Sequence, residues 1–335
     1  MIVFRKAMMI LVSFILLINL SGCNSVKTMA SSYEHLFKDG EIIDIKIEIP
    51  EEDWEDIKEN AIDEEYHMAN LTINNINVED IGIRTKGNSS LRSVAGSDSD
   101  RYSFRIKIDK YIDDQTVEGM DEFVLNSQFA DPSYLREYLT YKAMAELGGT
   151  TPYVNFCNLY INDELFGFYL CIEALDDSFV ERLTDAEDTN LYKADGERAT
   201  LLSDMDLKQF ENKYGEDEEL QNIQKLIDII NNEDVTKEEL ENIIDVDSVL
   251  KAMAINSIMG NYDSYSGSMA HNYYLLYENG KFEYIGWDYN MSIGGFMENG
   301  ASVKADISNP VYGTTLEKRP LFETIFAIED YQNTY

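Results

Sequence analysis

The stretch VNFCNLYINDELFGFYLCIE, residues 154–173, divides the chain into two kinds of sequence. Residues 154–161 and 165–172 read as two strands, and Asn162-Asp163 between them is a good two-residue hairpin turn. Pairing about that turn sets Cys157 opposite Phe168 and Cys171 opposite Val154. That offset predicts that the two cysteines lie on opposite faces and remain free thiols. Upstream, strand signals dominate. Ile43, Ile45, Ile47 and Ile49 alternate with acids and Lys46, the pattern of a half-buried strand. A short helix is expected over residues 51–60, then strands at 71–76, 78–85 and 102–108, with a polar loop running from Gly87 to Asp100. Asp131-Pro132 predicts a helix start, Asp131 as N-cap and Pro132 in the first turn, and Gly148-Gly149 its end.

Downstream of Glu173 the periodicity changes. Residues 204–219 are acidic and mostly polar. Ile223, Leu226, Ile227 and Ile230 have helical spacing, and Thr236 with Glu239 forms a capping box. A further helix from about Asp247 stops at Gly260. Short strands at 273–277 and 282–285 flank Asn279-Gly280, and Leu321, Phe322, Ile325 and Phe326 mark a last helix. The order predicts an α+β fold: a strand-rich N-lobe over 42–175, a helix-rich C-lobe over 176–335, and a cleft between them.

Charge narrows the function classes. The 335 residues hold 27 Lys+Arg against 63 Asp+Glu, a net charge of −36. Nucleic acid is an unsuitable partner, because phosphate binding needs clustered cations. A basic macromolecule suits the surface, as does a metal that bridges acids to an anionic ligand; acids that merely solvate the surface are the alternative. Residues 1–22 read as an export signal, with Arg5 and Lys6 before an apolar run from Met8 to Leu20. Leu20-Ser21-Gly22-Cys23 resembles a bacterial lipobox, which predicts lipidation at Cys23, a tether over 23–41 and attachment to a membrane through that lipid.

The densest set of chemistry-bearing residues is Asn261-Tyr262-Asp263, His271-Asn272 and Gly286-Trp287-Asp288. Asn272 and Asp288 flank a tight hairpin and can offer oxygens to one hard cation, Mg²⁺ or Mn²⁺. Asp263 can orient or deprotonate a hydroxyl. No phosphate-binding loop, dinucleotide fingerprint or serine elbow is present, and three histidines without a paired motif argue against a His-rich zinc centre.

Three blocks, IRTKGNSS (83–90), YSFRIK (102–107) and DPSYLR (131–136), are followed in order by the hairpin, the Asn-Tyr-Asp, His-Asn and Gly-Trp-Asp motifs. In that order they resemble the CotH kinase family, atypical secretory-type protein kinases. The resemblance implies a reduced, two-lobed protein-kinase-like fold that transfers the ATP γ-phosphoryl group to Ser or Thr of a basic, Ser-rich coat or envelope protein. It implies that Gly87, Asn88, Ser89 and Ser90 lie near the phosphates and that Lys107 reaches the α/β-phosphates. Glu137 would then hold Lys107 forward, although its neighbour Arg136 competes for the inward position. Glu173 would mark a hinge, with backbone groups at 172–174 binding adenine. Asp263 would orient the acceptor hydroxyl, and Asn272 with Asp288 would hold Mg²⁺ or Mn²⁺. His271 reads as a neighbour rather than a ligand. Three departures stand out. Asp263 and Asn272 are nine positions apart, Asn290 replaces a second acid after Trp-Asp, and the end at Tyr335 is short against relatives. The rival readings are a non-catalytic assembly protein of the spore coat or cell envelope that binds basic partners, and an enzyme of this fold that modifies something other than a protein.

Overall fold

The computed structural model describes residues 33–335 apart from Glu197 and Met297. The expected export signal and Cys23 therefore lie outside the described residues. In chain order the first half holds β1 (Ile43–Glu48), α1 (Glu51–Glu59), β2 (His67–Ile73), β3 (Ile76–Lys86), α2 (Ser89–Ala95), β4 (Ser103–Lys107), β5 (Glu122–Asn126), α3 (Arg136–Glu146), β6 (Val154–Ile161) and β7 (Glu164–Glu173). The strands form a closed barrel in the order β1-β2-β3-β4-β5-β7-β6. The one parallel pair, β1 with β6, closes it at Ile45↔Leu159. Closure removes both free sheet edges. The isoleucines of β1 point inward as their alternation requires, and Trp54 of α1 packs on Phe104 and Phe166 at ring distances of 5.6 and 5.3 Å.

The second half holds α4 (Asp177–Leu183), β8 (Asn190–Ala194), β9 (Phe210–Tyr214), α5 (Gln221–Ile230), α6 (Lys237–Ile243), α7 (Val246–Met259), β10 (Tyr273–Glu278), β11 (Lys281–Gly286), α8 (Pro320–Phe326) and α9 (Glu329–Thr334). Its four strands form an antiparallel sheet ordered β11-β10-β8-β9. The capping box at Thr236 and Glu239 opens α6, and Gly260 ends α7 at φ 61°. The fold is α+β, as expected. The outer barrel face (Val124, Leu170, Ile172) and the α3 residues Tyr141 and Met144 share one hydrophobic core with α5, α7 and α8. Among the described residues no helix is long and apolar enough to cross a membrane.

Several local expectations are corrected. The hairpin turn is right, with Asn162 and Asp163 both left-handed at φ 49° and 66°, but a bulge between Leu159 and Tyr160 shifts the register by one. Cys157 therefore faces Tyr169, and Cys171 faces Asn155. Both cysteines then point into the barrel. They are buried free thiols, kept apart by a diagonal offset of roughly 7–8 Å rather than by opposite faces. α3 starts at Arg136, five residues after Asp131; Asp131 still accepts from the Arg136 N–H at 2.8 Å. The polar loop after Gly87 contains α2, whose Leu91 and Val94 are buried. The described part of the 23–41 tether is not free. Tyr33, Leu36 and Phe37 are buried in the barrel's core, and Asn155 Nδ2 donates to the Glu41 carbonyl at 2.8 Å. Three strands were not anticipated. β5 is buried on both faces and so shows no alternation, and β8 and β9 are five-residue strands in polar sequence.

Candidate active site

The loop after α7 positions Asp263. Asn261 Nδ2 donates to Asn256 Oδ1 at 3.0 Å, Ser264 Oγ donates to the Asn261 carbonyl at 2.8 Å, and the buried Arg319 donates from Nε to the Tyr265 carbonyl at 2.7 Å. So anchored, Asp263 Oδ1 lies 2.7 Å from His271 Nε2, while Asn272 Nδ2 donates to the Asp263 carbonyl at 2.8 Å. Asp263 Oδ2 has only a 3.4 Å contact with Asn272 Nδ2, which leaves it free to take another donor. Asn272 and Asp288 stand at the paired ends of β10 and β11, where Trp287 N–H donates to the Asn272 carbonyl at 3.0 Å. Both residues are left-handed, φ 55° and 54°. Asn and Asp tolerate this better than most side chains, and such strain gathers at functional sites. The Asp288 N–H donates to the Tyr141 hydroxyl at 3.2 Å, which ties the hairpin end to α3.

The barrel contributes the opposite wall. Glu137, in the first turn of α3, is 1% exposed and accepts from Asn126 Nδ2 at 2.7 Å and Gln128 Nε2 at 3.0 Å. Burial raises its pKa to about 8; the Asp288 charge adds to this, and Gln128, Lys86 and Asn126 oppose it. Asp288 is likewise raised by burial and then by Asp263, with Lys86 and His271 opposing. The Lys86 ammonium is lowered by burial, while Asp288 and Glu137 stabilise its charge. Lys86, Glu137 and Asp288 thus form one electrostatic cluster across the two halves.

The pairing expected between Lys107 and Glu137 is replaced by two others. Lys107 Nζ lies 3.1 Å from Asp109 and 3.6 Å from Glu122. The cation whose charge acts on Glu137 is Lys86, at the end of β3 and immediately before Gly87, whose φ of 122° only glycine adopts readily. Lys86 was overlooked because strand spacing does not reveal which strand end faces α3; its place before the glycine turn was the available signal. The competitor Arg136 points away: its Nη1 donates to the Ala130 carbonyl at 2.8 Å. Gly87, Asn88 and Ser89 form the β3–α2 junction, with Asn88 and Ser89 exposed.

The hinge expected at Glu173 is also corrected. Its carboxylate is fully buried and receives Arg182 at 2.6 and 2.7 Å, the Tyr33 hydroxyl at 2.6 Å and the Tyr153 N–H at 2.8 Å. The Glu173 N–H donates to the Tyr153 carbonyl at 2.9 Å and the Ala174 N–H to the Glu122 carbonyl at 3.3 Å. These donors close the barrel and are not available to a ligand.

Among the described residues no group of three or more His, Cys, Asp and Glu side chains is arranged to hold a metal ion. One atom fits such an ion nevertheless. Asp288 Oδ1 is buried without a hydrogen-bond partner among the described residues, beside Asn272 and Asp263. A hard cation completed by phosphate oxygens and water needs only one or two protein oxygens. A separate groove of about 900 Å³ is lined by Glu181, Asp185, Glu187, Asp188, Glu216 and Tyr277, among others.

Comparison with known proteins gives two findings. A family described as CotH kinase protein matches residues 83–335; β1, β2 and the start of β3 precede the match. Inner spore coat protein H of Bacillus subtilis (strain 168) is 30% identical over 224 residues, which span 63% of this chain and 60% of that protein.

Proposed function

The chain belongs to the CotH kinase protein family, and from that premise we propose that it is a metal-dependent atypical protein kinase with a two-lobed, kinase-like arrangement. The observation that carries the reading is the unpartnered Asp288 Oδ1, on a carboxylate that the charges of Asp263 and Lys86 act on and that itself acts on Glu137. In this reading Asp288 and Asn272 would hold Mg²⁺ or Mn²⁺, which when bound neutralises charge on the phosphate oxygens. Lys86 contacts the phosphates as a point charge, Glu137 holds it in place once ionised, and residues 87–89 cover them. In ordinary protein kinases the lysine sits on the third strand and pairs with a helix glutamate. Here the strand before the glutamate helix is β5, which has no lysine, and Asn126 of β5 bonds Glu137 instead. The acceptor Ser or Thr oxygen attacks the γ-phosphorus as the bond to the ADP oxygen breaks, and Asp263 Oδ2 takes the hydroxyl proton. His271 keeps Asp263 oriented.

The relative's name makes a spore coat protein a fitting substrate and a spore envelope a fitting location. The acidic groove suits a basic, Ser-rich partner. Cys23 would carry a lipid anchor; Cys23→Ala should then release the protein from membrane fractions, and unchanged attachment would refute it.

The decisive test compares two variants. Asp288→Ala should abolish metal-dependent nucleotide binding, followed as a thermal shift with ATP and Mg²⁺ or Mn²⁺. Asp263→Ala should keep binding and lower transfer of labelled phosphate to basic Ser-rich proteins by about 100-fold or more. If both behave like wild type, the site lies elsewhere. If wild type shows no nucleotide-dependent shift with either metal, a non-catalytic coat assembly role is the better reading.

A further inference from the structure

A second polar cluster lies further along the same sheet, around Arg105, Lys107 and Glu122. β3 and β4 are antiparallel, with Lys86 opposite Ser103 and Gly82 opposite Lys107. At strand rise, Lys107 therefore lies about 13 Å along the sheet from Lys86, a separation suited to a nucleotide lying with its phosphates at one end and its base at the other. At the Lys107 end, Arg105 Nη2 lies 2.5 Å from Glu122 Oε1, and Lys107 reaches the other oxygen at 3.6 Å. Glu122 is 2% exposed and its neighbour Asp121 7%. Asp121 Oδ1 accepts from the Ser178 N–H at 3.2 Å. Asp121 Oδ2 and Arg105 Nε are both buried with no hydrogen-bond partner among the described residues. After Glu122, the groups that act on the Arg105 charge are Tyr66, Tyr274 of β10 and Asp176, after the strand exit. Leaving such atoms unsatisfied costs free energy, and a ligand that carries both a donor and an acceptor would satisfy them.

The N–H groups of Glu173 and Ala174 are already bonded within the barrel. We propose that Arg105 and Glu122, supported by Asp121 and Asp176, recognise a purine base, so that side chains of β4 and β5 replace the strand-exit backbone in reading it. The carboxylates accept from the exocyclic amino group or ring N–H of the base, and the guanidinium donates to a ring nitrogen or carbonyl. This rests on the reading above that phosphates lie at Lys86 and Asp288.

The test measures affinities of the full chain for ATP, GTP and inorganic tripolyphosphate with Mg²⁺, in wild type and in Arg105→Lys, Glu122→Gln and Asp176→Asn. Each folded variant should lose tenfold or more affinity for the purine nucleotide that wild type prefers, or exchange the preference between ATP and GTP. Tripolyphosphate affinity should stay within twofold. Glu122→Gln strips Arg105 of its partner and is the variant most prone to misfold; Asp176→Asn, at a partly exposed position, keeps the test valid. Unchanged nucleotide affinities, or nucleotide and tripolyphosphate affinities falling together in folded variants, overturn base recognition here. Wild type binding tripolyphosphate as tightly as either nucleotide overturns this inference alone. Wild type binding none of the three overturns the nucleotide site, and this inference with it.

Discussion

Asp263, Asn272 and Asp288 come together by a local route. The last two flank one hairpin, and Asn272 reaches Asp263 directly. Their grouping is therefore legible from spacing. Lys86 and Glu137 are not legible in that way, because both depend on how the barrel lies against the second half. Glu137 offers a test of that juxtaposition. Its carboxyl titrates near 4.5 when unfolded and is raised to about 8 when folded. Between those values the folded state holds the extra proton, so this contribution to stability is fully present below about pH 4.5 and is lost as pH rises through about 8. The thermal midpoint of the metal-free protein should accordingly fall from about pH 5 to pH 8, and Glu137→Gln, which cannot ionise, should flatten that decline. A variant profile parallel to wild type would show that Glu137 does not hold the proton.

The elements show where short-range pattern suffices. β1, α1, the two-residue turn between β6 and β7, and the capped helix α6 all follow their local signals. The β6–β7 bulge does not, since an extra residue on one strand leaves alternation intact on either side while inverting the faces beyond it. The segment before β1 is a clearer case. Its polar composition suggests a tether, yet its 3-10 turn Glu34–Phe37 presents Leu36 and Phe37 to the core. Phe37 stacks on Tyr153 at 5.8 Å, and Tyr33 bonds the buried Glu173. Phe37→Ala should destabilise the protein by about 3 kcal/mol, measured by denaturant unfolding. A loss below about 0.5 kcal/mol, the usual range for surface changes, would mean that the segment behaves as the tether its composition suggests.

For the whole molecule, charge is the dominant property. A net charge of −36 and the groove carrying Glu181, Asp185, Glu187 and Asp188 form a field that attracts cationic chains. Exposed charges are screened beyond about 8–10 Å at physiological ionic strength. Association with a basic Ser-rich protein should therefore weaken steeply as salt rises, and Asp185→Asn with Glu187→Gln should reduce both affinity and its salt dependence. Binding indifferent to salt would rule out recruitment by charge.

The amino-acid sequence by itself determined the α+β class, most element positions, the acidic field and the Asp263–Asn272–Asp288 group. Each of these arises from composition or from contacts between near neighbours. Tertiary structure alone decided the parallel closure of β1 on β6, that the charge of Lys86 rather than Lys107 acts on Glu137, and the burial of Glu173 beneath Arg182 and Tyr33. Periodicity tells a strand which face to bury but not which distant strand to pair with. A charged side chain finds its partner only when packing brings the two backbones together.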